Sequence, residues 1–368
     1  MSKRPRDEPT ESSLTAEEIS AILAQSEEAD IPSLDGAGVK RLLLGLERSV
    51  TANASLRAKH AAEPLKYLDS EVRLSEALKS LQALAAAPEH YPALPRSGVL
   101  ATLLGLLGHE NADIAVAVFE LLGELLGEDD EAGAAGEAAG LLVDALAADG
   151  GLELLLQGAA RLGDAARAAP AGGGGGGGGE VSALEADNAA RDAEGLLTAL
   201  SLLGRALALR PALAKELLRA LPSARGSPLL LAVLFAQLQP GPFSELRGAA
   251  AELVCDLLAV GGLEAARAVG GGALAFPGRA QPASGTECLL EALAPYRKRG
   301  PEGVEEKEFV SNLFDALCTC LVRCAGVEEG CGALLCPSCY TRAPALPPAL
   351  TPSRPPPAAA RRQCEPFF

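Results

Sequence analysis

No apolar run in this 368-residue chain reaches 18 residues without a charge. Inside the shorter runs, leucines recur at the spacing of one helix face. The stretch from Gly98 to Leu126, GVLATLLGLLGHENADIAVAVFELLGELL, shows both properties. Leu100, Leu103, Leu104 and Leu107 form one stripe; Ile114, Val118, Leu121 and Leu125 form a second. Between them His109, Glu110 and Asn111 break the pattern, and Asp113 is placed to cap the second helix. The run therefore reads as two helices joined by a tight polar turn. It is too interrupted for a membrane span, and the turn destroys the heptad that a coiled coil needs.

The same device recurs along the chain. Val39, Leu42, Leu43 and Leu46 begin a stripe; Leu56, then Leu65 and Leu68, then Leu74, Leu78, Leu81 and Leu84 continue it in separate helices. Pro64 suits a first helical turn and Pro88 comes just after a helix end. Short helices are predicted over 140–146 and 151–162, and a long apolar helix over 196–209 precedes one over 211–221. Two further pairs join 227–238 to 246–260 and 288–293 to 309–322. The pairs start about 45 to 60 residues apart, and none can bury its apolar face alone. This pattern predicts an all-α chain, a right-handed α-solenoid of armadillo or HEAT-type repeats over 36–325. A glycine-rich insertion at 170–180 interrupts it. Its eight consecutive glycines, 172–179, are not followed by G-K-[ST], so they form a flexible loop rather than a phosphate cradle. Composition agrees: 48% of residues are hydrophobic but only 3% aromatic, with no Trp, which suits small-residue helix packing better than a β-sandwich.

The net charge of −16 argues against nucleic acid as a direct partner, since phosphate needs Lys and Arg. An acidic surface attracts basic partners, or it simply keeps the chain soluble. Residues 1–35 are polar and read as disordered, apart from a short helix predicted over 15–29. Lys3, Arg4 and Arg6 make K-R-P-R, the pattern of a short nuclear localisation signal. The start of the chain carries no hydrophobic region of the secretory kind. A reducing intracellular compartment is therefore expected, with the nine cysteines as thiols.

Within the helix pairs an armadillo pattern is visible: a glycine, L-x-x-L-L-x-L-L, a polar turn, D-I-x-x-x-A, then L-L-x-x-L. GLLGHENADIAVAVFELLGEL resembles the catenin-beta-like armadillo family of the spliceosome. KRPRDE resembles its basic-then-acidic start, LRAKHAAEPLKYLDSEVRLSEAL its entry helices, and EGLLTALSLLGRALALRP with EEKEFVSNLFDALCTCL its later repeats. The similarity spans about 39–322. The resemblance implies a nuclear protein of the Prp19-associated splicing machinery. It also implies an armadillo surface that binds basic, localisation-signal-like segments of partners, such as a Cdc5-like splicing factor. After Cys324 the match stops. Residues 326–368 are rich in Pro and Cys and read as a divergent, disordered tail, where the family continues with further repeats and a helical cap. A C-terminally truncated or mis-spliced gene model is the simplest explanation.

No G-x-S-x-G, H-E-x-x-H or strand-borne G-x-G-x-x-G is present, so neither an enzyme nor a cofactor is expected. Only Cys336 and Cys339 form a close pair near Cys324, Cys331 and Cys364, too little for a zinc site. Cys255 and Cys318 are expected to fill core space, and His109 to be a turn or packing residue. The sharper candidate is acidic. In armadillo units the third helix lines the concave groove. Asp113, Glu120 and Glu124 share one helix face, Glu245, Glu252 and Asp256 repeat the spacing, and Glu308, Asn312, Asp315 and Thr319 succeed one another at 4, 3 and 4. Stacked repeats would align them into a groove for Lys and Arg; the plainer reading is that helix exteriors are polar anyway. Import adaptors clamp basic peptides with regularly placed Trp and Asn, and this chain has no Trp, so weaker, partner-specific binding is expected. The alternative function is a cytoplasmic armadillo or HEAT adaptor for folded partners.

Overall fold

A computed structural model describes residues 34–127, 133–168, 179–224 and 226–325. Among the described residues there are thirteen α-helices and no strand beyond two isolated bridges. The first two helices are α1 (Gly36–Lys59) and α2 (Leu68–Leu81). Three triplets come next: α3 (Ala93–Ser97), α4 (Val99–Leu106) and α5 (Ala112–Leu126); α6 (Ala134–Ala147), α7 (Gly151–Ala168) and α8 (Gly179–Leu209); α9 (Leu213–Arg219), α10 (Leu229–Gln237) and α11 (Glu245–Ala266). The last pair is α12 (Gly285–Leu293) and α13 (Glu305–Ala325).

Packing orders these helices into rows. α2, α5, α8, α11 and α13 stack one against the next, and α1, α4, α7 and α10 stack behind them. Each third helix also packs on the second helix of its own triplet. This is the nearest-neighbour logic of a solenoid: one continuous core runs through the stack. The chain is an all-α solenoid, as the stripes predict. Its core is mostly Leu, and the larger aromatic contacts gather at the C-terminal end, where Phe243 and Tyr296 both pack against the buried Phe309.

Helix starts obey local chemistry. Asp35 accepts the Gly38 N–H at 2.6 Å to open α1, and Ser284 accepts the Glu287 N–H at 3.2 Å to open α12. Three expectations change. Leu65 and Leu68 do not join the buried stripe: Pro64 opens a 3₁₀ turn over Pro64–Lys66, and both leucines are exposed. Leu56 belongs to α1 itself rather than to a separate helix. The helix predicted over 196–209 begins at Gly179; its first half is polar and carries no apolar stripe by which to recognise it. The basic motif Lys3, Arg4 and Arg6, the helix predicted over 15–29, most of the glycine run and the tail 326–368 lie outside the described residues.

Candidate functional site

α5 is the best-defined surface in the stack. Ten of its fifteen residues are buried, and Asp113, Glu120 and Glu124 alone among them are exposed. At 100° per residue the three fall within an arc of about 40°. Neighbours therefore enclose α5 on every side but one, and that side is a strip of carboxylates. The cap is Asn111, not Asp113: its Oδ1 accepts the Asp113 N–H at 3.0 Å, from an extended backbone. Asp113 occupies the first turn, where its charge complements the helix dipole.

The polar turn before α5 holds several helices together. His109 Nε2 meets Asn53 Oδ1 at 3.1 Å, and Asn53 Nδ2 donates to Ser70 Oγ at 2.9 Å. Asn111 Nδ2 donates to Glu71 at 3.0 Å, and Arg57 pairs with both Glu71 and Glu110. Arg161 of α7 donates to the carbonyls of His109 and Leu107. Asn53, Ser70 and Glu71 are buried, so these bonds satisfy groups that would otherwise be costly. Burial, above all, holds the His109 imidazole below the usual histidine range. His109 is thus a turn residue, as expected, and it also ties α1 to the α4–α5 junction.

On the later third helices, Glu245, Glu252 and Asp256 of α11 and Glu308 and Asp315 of α13 are exposed, while Asn312 is half-buried. Glu252 and Asp256 line a cleft of about 250 Å³ between α8 and α11, opposite Ser201 and Arg205. Burial pushes the Cys255 thiol up, and Asp315, Asp256 and Glu252 add to the effect. Asp256 and Glu252 of α11 and Asp315 of α13 thus all act on this one thiol at the α11–α13 step. At the α5–α8 step, burial raises the Asp192 carboxyl; Asp113 raises it further and Arg161 opposes this. Asp192 is not legible in the sequence as a site residue, because it precedes the apolar half of α8 and belongs to no stripe. The acids thus form two groups. Between them α8 presents Ser201 and Arg205, and Arg205 donates to the Gly123 carbonyl of α5 at 2.9 Å.

The cysteines differ from expectation. Cys318 is exposed and Cys255 half-buried, whereas Cys288 and Cys320 are the buried pair. Spacing places Cys255 and Cys318 on helices but not on their inner faces. Desolvation pushes the Cys288 thiol up to about 11, which leaves it protonated and unreactive at neutral pH. Among the described residues no group of three His, Cys, Asp or Glu side chains is placed to hold a metal ion. Cys331, Cys336, Cys339 and Cys364 lie outside them. No helix among the described residues is long and apolar enough to cross a membrane.

Comparison with known proteins agrees with this architecture. The chain is 28% identical over 296 residues to beta-catenin-like protein 1 of Rattus norvegicus, and 27% identical over 297 residues to that of Homo sapiens. It is 26% identical over 298 residues to the beta-catenin-like protein 1 homolog of Schizosaccharomyces pombe. Each match covers 80% of this chain but only 44–45% of the relative, so the chain spans less than half the length of these proteins. A family model matches residues 17–329, which include all thirteen helices and both acidic groups. The chain belongs to the catenin-beta-like, Arm-motif containing nuclear family.

Proposed function

We propose that this chain is a non-enzymatic nuclear scaffold of the pre-mRNA splicing machinery, in the Prp19-associated complex. It binds basic, localisation-signal-like segments of partners along the acidic face of its third helices. One observation carries the reading: α5 is enclosed everywhere except along Asp113, Glu120 and Glu124. A helix whose whole exposed surface is one charge sign is suited to a partner of the other sign. The family's nuclear description supports the compartment, and the resemblance of HENADIA and NLFDALCTC to the spliceosomal family supports the process. A Cdc5-like factor is the partner class this implies.

The test is a titration of a fluorescent Lys/Arg-rich segment of a Cdc5-like factor against the chain. Binding is expected at low salt, weakening as salt rises. Converting Glu120 and Glu124 to Lys should weaken it at least tenfold, since each exposed ion pair contributes up to about 1 kcal/mol and reversal adds repulsion. Undetectable binding at low salt, or unchanged affinity in the double variant, would remove the groove. Fractionation tests the compartment: cytoplasmic residence with Lys3, Arg4 and Arg6 intact would favour the adaptor for folded partners.

A further inference from the structure

The exposed face of α2, with the turn that leads into it, carries something the acidic strip lacks. Leu65, Leu68 and Val72 are 86%, 49% and 50% exposed. Leu68 and Val72 lie four residues apart on α2, within an arc of about 40°, and Leu65 sits in the 3₁₀ turn just before the helix. Single exposed hydrophobic residues are ordinary; two on one helix face with a third in the turn that leads into it make an apolar strip. On α2 that strip lies about 120° around the helix from Leu74 and Leu78, which are fully buried. The apolar strip is short, for it turns polar at Glu76 and Lys79, both exposed.

Its position relative to the acids is set by one hydrogen bond. Glu71 of α2 accepts from Asn111, the cap of α5, at 3.0 Å. The two helices are neighbours in the same row, so residue 71 is level with the start of α5. Val72 is the residue after Glu71 and Asp113 is two residues after Asn111, so the strip and the first acid of α5 belong to the same end of the two neighbouring helices. On the far side of Asp113 stands Asp192 of α8, whose carboxyl feels Asp113 directly. Crossing from α2 to α8, a partner would meet an apolar strip and then a pair of acids.

We propose that Leu65, Leu68 and Val72 form an apolar anchor subsite at the N-terminal edge of the acidic face. The partner segment it takes carries a large aliphatic or aromatic side chain about three residues from the basic residue that meets Asp113. The spacing is geometric: adjacent helices in a row are about 8–10 Å apart, and an extended chain advances about 3.3 Å per residue. The charge beside the strip selects the occupant, because Asp113 and Asp192 disfavour an acidic or purely apolar segment and favour one with Lys or Arg next to its anchor. This inference rests on the basic-segment reading above.

Two labelled peptides test it. They share one Lys/Arg cluster, and one carries Leu three residues away where the other carries Ala. The Leu peptide should bind about tenfold tighter, as burial of one aliphatic side chain allows. A Leu65→Ser/Leu68→Ser variant should erase that difference while binding the Ala peptide as the wild type does. Both positions are exposed, and an unchanged thermal melt shows that the variant folds. Moving the Leu to six residues away should also abolish the advantage. Equal affinities of the two peptides, or a difference that survives in the variant, would overturn the subsite and leave the basic-segment reading standing. If neither peptide binds at low salt, that reading fails and the subsite fails with it. Concentration-dependent self-association that the Ser variant abolishes would give the face to a second copy of the chain instead.

Discussion

Asn111 occupies two roles at once: its Oδ1 caps α5 and its Nδ2 donates to Glu71. Asn111→Ala should therefore cost about 2 kcal/mol, the upper range for a cap, because a buried carboxylate also loses a donor. Asp113→Ala should cost about 0.5 kcal/mol, the dipole contribution of a first-turn acid. Urea unfolding of the two variants checks the order, which would reverse if Asp113 were the cap. His109 adds a pH dependence. Its Nδ1 accepts the Asn111 N–H at 3.1 Å while Nε2 faces Asn53 Oδ1, an arrangement that needs the neutral ring. With its folded pKa below 6.5, the unfolded chain binds the proton more readily. Stability from this residue is complete above the unfolded value. It falls as pH drops through 6.5 and levels once pH is below the folded pKa. The shift in urea midpoint between pH 7.5 and 5.5 should be smaller in His109→Gln than in the wild type. At this scale the sequence is half legible. HENAD announces a turn and a cap, but Asn111 and Asp113 are both competent caps. The choice between them depends on Glu71, forty residues earlier and adjacent only in the fold.

Elements are more legible than their ends and contacts. The stripes locate α4, α5 and α11 by leucines recurring at helical spacing, and α10 by a short apolar run that the fold buries all round. They fail where burial is not periodic: the polar first half of α8 is helical without a stripe, and α11 continues past Val260 to Ala266 through Gly262, whose φ of 63° breaks the helix. Glycine is a poor loop signal in this chain, and Gly195 shows the physical reason. It sits inside α8, and a Cβ there would lie 2.4 Å from Val116 Cγ2 of α5. The close approach of these two third helices requires a residue without a side chain. Gly195→Ala should therefore destabilise the chain by about 1–3 kcal/mol through overpacking, despite the better helix propensity of Ala. Adding Val116→Ala should recover most of the loss. If Gly195→Ala alone proved neutral or stabilising by calorimetry, the tight α5–α8 contact would be wrong.

For the whole molecule, the question is whether the net charge of −16 or the placement of a few carboxylates draws a basic partner. A diffuse field would respond to any lost acid alike, apart from screening beyond about 10 Å at 0.1 M salt. A face would respond only to its own. Glu137 on α6 and Glu216 on α9 are exposed and lie on first helices of their triplets, outside the third-helix row. Glu137→Lys/Glu216→Lys and Glu120→Lys/Glu124→Lys change the net charge by the same amount. The first variant should lower the association rate modestly at low salt and leave affinity near wild type at about 0.15 M. The second should raise the dissociation rate and keep its loss of affinity at both salts, because contacts at the binding face are less screened than the distant field. Equal losses in the two variants would reduce the acidic strip to general solubility. Arg205 supplies a check of opposite sign. It stands between the two acidic groups, and Arg205→Ser would remove the cation that separates them. If a basic segment crosses the whole row, that variant should bind it more tightly than the wild type. If the segment uses only the α5 end, affinity should stay the same, and stability should fall slightly because the bond to the Gly123 carbonyl is lost.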